Sequence, residues 1–147
     1  MKRLELVGLK PCPHCHRAIA YLMTQDGEKT LGIALDATKT HELSYNHEGP
    51  GGEKCMTGFL VRLLAASSYV PRQVILHWNQ EGFLCSIIDL TTEMITCSPQ
   101  EGLALAILAS IPLFAEEEIF EHIGSFHAVN AKADRTKPQP KPKPTLH

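Results

Sequence analysis

The sequence predicts an α+β fold in which two three-stranded, mostly antiparallel meanders form a mixed sheet system packed with three to four helices. Two observations carry this prediction. Apolar residues alternate along six segments, as they do in half-buried strands, and they repeat at helical spacing along others. The predicted elements also follow the order three strands, helices, three strands, helices, which is typical of α+β proteins with antiparallel pairing.

The first meander occupies the start of the chain. Apolar residues alternate from Leu4 to Leu9, and a second strand runs from Arg17 to Thr24. Asp26-Gly27 is a two-residue turn signal, because tight hairpins need the positive φ angles that glycine adopts without strain. Alternation then resumes over residues 31–35. Three strands joined in this way predict a meander.

The middle of the chain predicts two helices. Residues 37–55 are polar, so we expect a short helix near Lys39 and then a loop at the glycine-rich run 48–52. The second helix begins at Thr57, whose hydroxyl is placed to cap the first turn, and it ends before Pro71. Its apolar residues repeat at helical spacing and are Phe59, Leu60, Leu63 and Leu64.

The second half repeats the order of strands and helices. Alternation over 74–78, a polar turn at 79–82 and alternation over 83–87 predict a hairpin, and Met94 to Cys97 forms the next strand. Ser98-Pro99-Gln100-Glu101 is a capping box, so a helix runs from Pro99 to about Ala109. Ile111-Pro112 breaks it, and a last short helix is expected from Ala115 to Ile123.

Composition and charge limit the classes of function. The chain has 147 residues, 44% of them hydrophobic, which suits one globular domain with a real core. We assign residues 1–130 to this domain and 131–147 to a disordered tail rich in Lys and Pro. The tail has five basic residues and one acidic residue, a net charge of +4, which leaves 9 basic and 15 acidic residues, a net of −6, in the body. Contact with nucleic acid is therefore expected to be weak and salt-sensitive.

The same features bear on location. No apolar run approaches the roughly 20 residues of a membrane-spanning helix, so we expect neither a signal peptide nor a membrane segment. The five cysteines are odd in number and unevenly spaced, unlike a secreted disulfide framework. A reducing, cytoplasmic setting is predicted, and the sequence leaves self-association into a homo-oligomer open.

The densest chemistry in the sequence is the segment Cys12-Pro13-His14-Cys15-His16 between the first two strands. A Cys-x-x-Cys pair supplies two ligands of a tetrahedral zinc site, and His16 with His41, His47 or Cys55 would complete it. Two other interpretations stay open. The thiols are ordinary surface groups, or the motif carries redox chemistry of the thioredoxin kind, which requires that it open a helix.

A second candidate site consists of oxygen ligands. Asp36, His41, Glu42 and Glu101 are expected near the ends of the third strand and of the capped helix, where carboxylates would bind Mg²⁺ or Mn²⁺. Each residue also has a structural interpretation, because Asp36 and Glu101 are placed to cap helices and the other two to lie on the surface. Glu101, Asp36 and Glu42 are the candidate catalytic residues.

Several motifs together resemble the bifunctional nuclease domain family. The family opens with a Leu-x-Val-Gly-Leu strand, which Leu4 to Leu9 match here, and the most specific part of the likeness runs from Ser98 to Glu117. The resemblance spans residues 3–124. It implies an α+β fold and cleavage of DNA and RNA. The family pattern Asp-Ala-Arg-Pro-Ser-Asp-Ala corresponds here to residues 96–102, where Pro99 is retained and Glu101 keeps an acid. The family's Pro-Ile-Trp-Ile-Gly signature corresponds to residues 32–36.

The leading expectation is therefore a bifunctional-nuclease-like domain with weak, metal-assisted nuclease activity on phosphodiesters. Loss of the Asp and Arg of the family pattern favours a rival hypothesis, a catalytically silent binding or interaction module on the same scaffold, because phosphodiester hydrolysis commonly uses such charges. A zinc or thiol regulatory domain built on Cys12 and Cys15 is the third hypothesis.

Overall fold

The computed structural model describes residues 1–45 and 55–123. The predicted tail, His47 and the glycine-rich run 48–52 lie outside these residues. Within them, the α+β prediction is confirmed: helices pack with a mixed sheet of seven strands. The strands are β1 (Lys2–Pro11), β2 (Ala18–Thr24), β3 (Thr30–Leu35), β4 (Gln73–Trp78), β5 (Leu84–Asp89), β6 (Met94–Cys97) and β7 (Leu113–Ala115). The helices are α1 (Ala37–Tyr45), α2 (Met56–Ala66), α3 (Pro99–Leu108) and α4, which includes residues 117–123.

The strands form one sheet in the order β3-β2-β1-β7-β4-β5-β6. Strands β1 to β3 pair antiparallel in sequence order, and so do β4 to β6. The short strand β7 joins the two groups, because it pairs antiparallel with β1 and parallel with β4. This strand is what makes the sheet continuous and mixed.

Helix α3 is the centre of the core. It packs on β3, β4 and β5, and α1 and α2 pack on it in turn. Five consecutive residues of α3, from Gly102 to Ala106, are buried, because the helix has neighbours on several sides. Its start is set by the predicted capping box: the Ser98 hydroxyl accepts from the Glu101 amide, and the Glu101 carboxylate accepts from the Ser98 amide. The capping-box prediction is confirmed.

Helix α4 is held at the end of the described chain by burial of one side chain and by contacts to strand β4 and to the β2–β3 turn. Ile119 is fully buried, and the His122 ring stacks on the indole of Trp78 with centroids 4.8 Å apart. Lys29, in the β2–β3 turn, lies 5.2 Å from the centre of the Phe120 ring. Within the described residues, no helix has the length and apolar character needed to cross a membrane.

Two sequence expectations about helix boundaries are wrong. Ala115 belongs to strand β7, and the following helix begins at residue 117. A three-residue strand is too short for alternation to reveal, and hydrogen bonds from strands on both sides define it. The cap of α2 is Cys55, whose sulfur accepts from the Gly58 amide at 3.2 Å. Thr57 is already inside the helix, and its hydroxyl is used elsewhere.

The apolar surface of α2 also differs from a simple core helix. Phe59, Leu60 and Leu63 are exposed by 52%, 41% and 51%, although they repeat at helical spacing. Leu64 and Val61 pack against the core instead. Spacing identifies the helix, but the side that packs depends on where α3 lies.

The β2–β3 turn provides a pH-dependent test of how the hairpin is stabilised. Asp26 accepts hydrogen bonds from Lys2 Nζ at 2.8 Å, Thr24 Oγ1 at 2.6 Å and the Glu28 amide at 3.0 Å. The Lys2 ammonium, together with Thr24 and the Glu28 amide, holds the pKa of Asp26 well below its usual range. The ionised carboxylate therefore stabilises the turn and ties β1 to it.

Asp26→Asn is expected to lower the thermal midpoint by a few degrees at neutral pH. Because the native pKa of Asp26 is depressed, its contribution is complete above the ordinary carboxyl value of about 4 and is lost as pH falls through the native value. Thermal melts across this range should show wild type and variant converging in acid. Glu93→Gln, in the exposed β5–β6 turn, is the charge-matched control. A difference that stays constant with pH would contradict the assignment.

Candidate functional site

The first turns of three helices meet at one place. Asp36, just before α1, is hydrogen-bonded to Gln100 in the first turn of α3, and residues of α1 bond to Thr57 in the first turn of α2. Beside them is a cavity of about 360 Å³. Lys39, Thr57 and Glu101, one residue from each helix, line its polar end. We call this the helix-start cavity.

Asp36 links α1 to α3. Its Oδ1 accepts the Lys39 amide at 2.8 Å, which caps α1, and its Oδ2 accepts Gln100 Nε2 at 2.8 Å. The Asp36 amide in turn donates to Gln100 Oε1 at 2.8 Å. The Lys39 amide and the Gln100 side chain lower the pKa of Asp36, because both donate to its ionised form. The predicted capping role of Asp36 is confirmed, and the carboxylate is fully engaged.

Glu42 forms the buried part of the site. Its side chain is 3% exposed, and its Oε2 accepts from Lys39 Nζ at 3.0 Å and from Thr57 Oγ1 at 2.5 Å. Lys39 Nζ also donates to Thr57 Oγ1 at 2.9 Å. The three groups close a triangle that joins α1 to α2. The expectation that Glu42 is a solvated surface residue is wrong, because this triangle gives its charge two partners.

Glu101 and Cys97 form the opposite side of the polar end. Burial raises the pKa of the Cys97 thiol, and the charge of Glu101 raises it further, whereas the Ser86 hydrogen bond and the charge of Lys39 lower it. Glu101 and Lys39 therefore both lie close enough to this thiol for their charges to affect its pKa. Ser86 Oγ lies 3.1 Å from Cys97 Sγ. Cys97 is therefore a protonated wall residue rather than a nucleophile.

The remaining wall of the helix-start cavity is apolar. It combines side chains from α2, α3 and the end of the sheet, which are Met56, Leu60, Leu64, Ile88, Leu90, Ile95 and Leu105. A ligand that fits this cavity would place an apolar part against this wall and a charged part at Lys39. Small-molecule sites commonly combine an apolar lining with a few polar groups in this way.

The carboxylates do not form a metal cage. Asp36 is bound by the Lys39 amide and Gln100, Glu42 by Lys39 and Thr57, and Glu101 by the Ser98 amide. Across residues 1–45 and 55–123, no three His, Cys, Asp or Glu side chains are grouped so that they hold a metal ion. An ammonium beside Glu42 also disfavours a second cation there. Mg²⁺ or Mn²⁺ at these residues stays a prediction, and a bound ion would have to replace hydrogen bonds that Asp36 and Glu42 make in this structure.

The Cys-Pro-His-Cys segment forms the loop between β1 and β2. Cys12 donates its amide to the Arg17 carbonyl at 2.9 Å, directly after the last strand pair, Pro11 with Ala18. The Cys15 thiol and the backbone amides of His14 and Cys15 lower the pKa of the Cys12 thiol. The thioredoxin-like interpretation requires that the motif open a helix. This requirement is not met, because strand β2 follows the motif and no helix begins there.

Three of the four predicted zinc ligands line one cavity. Cys15, His16 and His41 line a second cavity of about 420 Å³ between this loop and α1, together with Arg17 and Thr40. Cys55 instead caps α2 and lines a neighbouring cavity with His41 and Glu42. The described residues contain no completed set of metal ligands. Zinc at Cys12 and Cys15 stays a prediction.

Lys39 and Gln100 are the important residues that the sequence analysis did not single out. The Lys39-Glu42 spacing of three residues on a helix is a detectable ion-pair signal. For Gln100 the sequence contains no comparable signal, because its partner Asp36 is 64 positions away.

The Cys85 thiol is a core group, as the sequence predicts. Burial and the charges of Cys97 and Glu116 raise the pKa of Cys85, so this thiol, 2.8 Å from His77 Nε2, is protonated.

Comparison with known proteins yields distant relatives. No family model matches the chain. Two proteins of Mycobacterium tuberculosis, one from strain H37Rv and one from strain CDC 1551, are each 21% identical to it over 126 residues. These matches cover 84% of this chain and 77% of either relative, and both proteins are described as uncharacterized. The similarity therefore covers most of the chain and indicates no activity.

Proposed function

We propose that this protein is a nucleic-acid-acting domain of the bifunctional nuclease type, with weak phosphodiesterase activity at the helix-start cavity. The observation that carries the proposal is the meeting of Lys39, Thr57 and Glu101 at one end of that cavity, with Glu42 behind them. A cation, a hydroxyl and a carboxylate are groups that phosphodiester chemistry uses.

The position of this cavity agrees with the family resemblance. The segment Ser98 to Glu117 carries the most specific part of the likeness, and its first residues cap α3 and line the cavity. Ser98 stands where the family pattern has Arg. In this chain the Lys39 ammonium supplies a cation at the same cavity, so a phosphate placed there would have one positive charge beside it.

The chain's own groups at this cavity would bind the phosphate and transfer a proton. Lys39 would neutralise part of the phosphate charge, and the amide ends of α1 to α3 add favourable dipoles. Glu101 is placed to orient a water molecule or accept its proton. The apolar wall would contact sugar and base. Because Lys39 is already paired with Glu42, the attraction for a polyanion is weak, as the acidic body also predicts.

A second candidate function is a catalytically silent binding module at the same cavity. It is favoured by the engagement of Glu101 in the capping box, where its Oε2 lies 3.3 Å from the Ser98 amide. A carboxylate that serves as a cap is less available as a base. Both candidates predict binding of single-stranded nucleic acid, and they differ in whether the bound strand is cut.

Glu101→Gln separates the two candidates. Glutamine preserves the capping box, so the fold should remain intact, while removal of a general base should lower cleavage of a fluorescein-labelled single strand by about a hundredfold. Cleavage is followed by gel, and binding by fluorescence anisotropy, in Mg²⁺, Mn²⁺ and chelator. Glu81→Gln, in the β4–β5 turn, is the matched control.

The outcomes of this experiment are distinct. Cleavage by wild type and by Glu81→Gln but not by Glu101→Gln supports the nuclease. Binding without cleavage in every protein supports the silent module. Identical traces of cleavage in all three proteins point to a contaminating nuclease, and the absence of both binding and cleavage would overturn both candidates.

A further inference from the structure

The loop that carries Cys12 and Cys15 has no part in the proposed function, and its geometry holds the two cysteines together. The β1–β2 ladder ends at the pair Pro11 and Ala18, and the Cys12 amide then bonds to the Arg17 carbonyl. Residues 13 and 14 form a turn, with Cys12 and Cys15 on either side of it. Proline at the first inner position of a turn is favoured because its φ is already fixed near the required value.

This turn sets a separation that suits a disulfide. The first and fourth residues of a β-turn have Cα atoms within about 7 Å, and disulfides span Cα separations of about 4.4–6.8 Å. The Cys15 thiol also lies within hydrogen-bonding distance of the Cys12 thiol. Closing the bond therefore requires rotation of side chains within one loop and no rearrangement of the sheet.

Exposure separates this pair from Cys85 in the core. Cys15 is exposed and Cys12 is half-buried, whereas Cys85 is buried. A dissolved disulfide can therefore reach the loop thiols while the sheet stays folded, whereas it cannot reach Cys85 in the core.

We propose that Cys12 and Cys15 form a reversible redox centre, a surface thiol pair that a low-molecular-weight disulfide converts to an intramolecular disulfide. The Cys12 thiolate attacks one sulfur of the oxidant, forming a mixed disulfide and releasing one thiolate. Cys15 loses its proton and attacks the Cys12 sulfur, which closes the Cys12-Cys15 bond and releases the second thiolate. Two electrons pass from the protein to the oxidant, and the two protein protons end on the two released thiols.

Oxidation would alter the cavity beside the loop. Cys15 lines that cavity with His16, Arg17 and His41, so tying its sulfur to Cys12 changes one wall. The centre is distinct from the proposed nuclease site, because the cavity beside the loop and the helix-start cavity have no lining residue in common.

The test equilibrates the full-length protein in buffers of reduced and oxidised glutathione, blocks free thiols and digests it with trypsin. Residues 4–17 form one tryptic peptide, because Pro11 follows Lys10, and this peptide contains both cysteines. We expect the doubly blocked peptide to give way, as the buffer becomes oxidising, to an unblocked peptide two hydrogen atoms lighter than the free dithiol, and dithiothreitol to reverse the change. Cys15→Ser should instead retain glutathione on Cys12, whereas Cys55→Ser, the control, should behave as wild type.

Alkylation rates provide a second measurement that does not depend on a variant. In the reduced wild-type protein at neutral pH, iodoacetamide should label Cys12 about tenfold faster than Cys85. The proposal is overturned if the peptide keeps both thiols, or carries two glutathiones, in fully oxidised buffer. It is also overturned if the purified protein contains about one zinc per chain and both thiols react only after chelation, because the pair is then a metal site.

Discussion

Gly102→Ala is expected to destabilise the protein by about 3 kcal/mol and to lower its thermal midpoint by roughly 10 °C. A Cβ at this position would lie 2.5 Å from the Cβ of Ser86 and 3.0 Å from Val74 Cγ1, and closer still to the Ser86 hydroxyl. Ser86 and Val74 are fully buried on central strands, so neither has space to move. In an uncrowded helix the same substitution would stabilise, because alanine is the better helix former.

Two further variants identify the close contact as the cause. Ser86→Gly in the Gly102→Ala background removes the clashing Cβ and should restore part of the lost stability, whereas Ser86→Ala keeps that Cβ and should restore less. Gly8→Ala is the control, since no atom lies within 4 Å of a Cβ added there. Thermal and urea unfolding measure the changes. A stabilised Gly102→Ala protein would show that α3 does not approach the sheet this closely.

Lys39→Met is expected to cost about 3 kcal/mol, because it leaves the Glu42 carboxylate buried without its cation. Glu42 is 3% exposed, and Thr57 would be its remaining partner in the Lys39-Glu42-Thr57 triangle. Urea unfolding at neutral pH measures the loss.

The matched variants for this prediction change either the partner or the site. Adding Glu42→Gln to Lys39→Met should restore most of the stability, because the neutral amide still accepts from Thr57 and no charge is left buried. Lys2→Met removes the cation of an exposed pair with Asp26 and should cost much less. Equal losses for Lys39→Met and Lys2→Met would contradict the burial of Glu42.

The strands and turns of the first half of the chain were predictable because their signals are local. Alternation over residues 31–35 places Leu31, Ile33 and Leu35 inside, and the structure buries all three. Gly27 has φ +76°, as the Asp26-Gly27 turn signal requires. Both features depend on neighbours a few positions away, which a single sequence displays.

The candidate site was predictable only in part. Asp36 and Glu101 were predicted as caps, and they cap α1 and α3. Their arrangement around Lys39 was not predicted, because it depends on how three helices come together. The zinc and magnesium expectations relied on residue types and spacing, which say which atoms are available but not which donors already occupy them.

The sequence by itself determined the α+β class, most strands, the hairpin turn and the capped start of α3. Each of these features depends on residues only a few positions apart, through alternation, helical spacing or a helix cap. Only the tertiary structure decided that Leu113–Ala115 inserts between β1 and β4, that Gly102 meets Ser86, and that Glu42 is buried beside Lys39. These features involve partners distant in sequence or depend on burial by distant elements. Their free energy comes from pairing and packing that exist only once the sheet and helices have assembled, so no local pattern contains them.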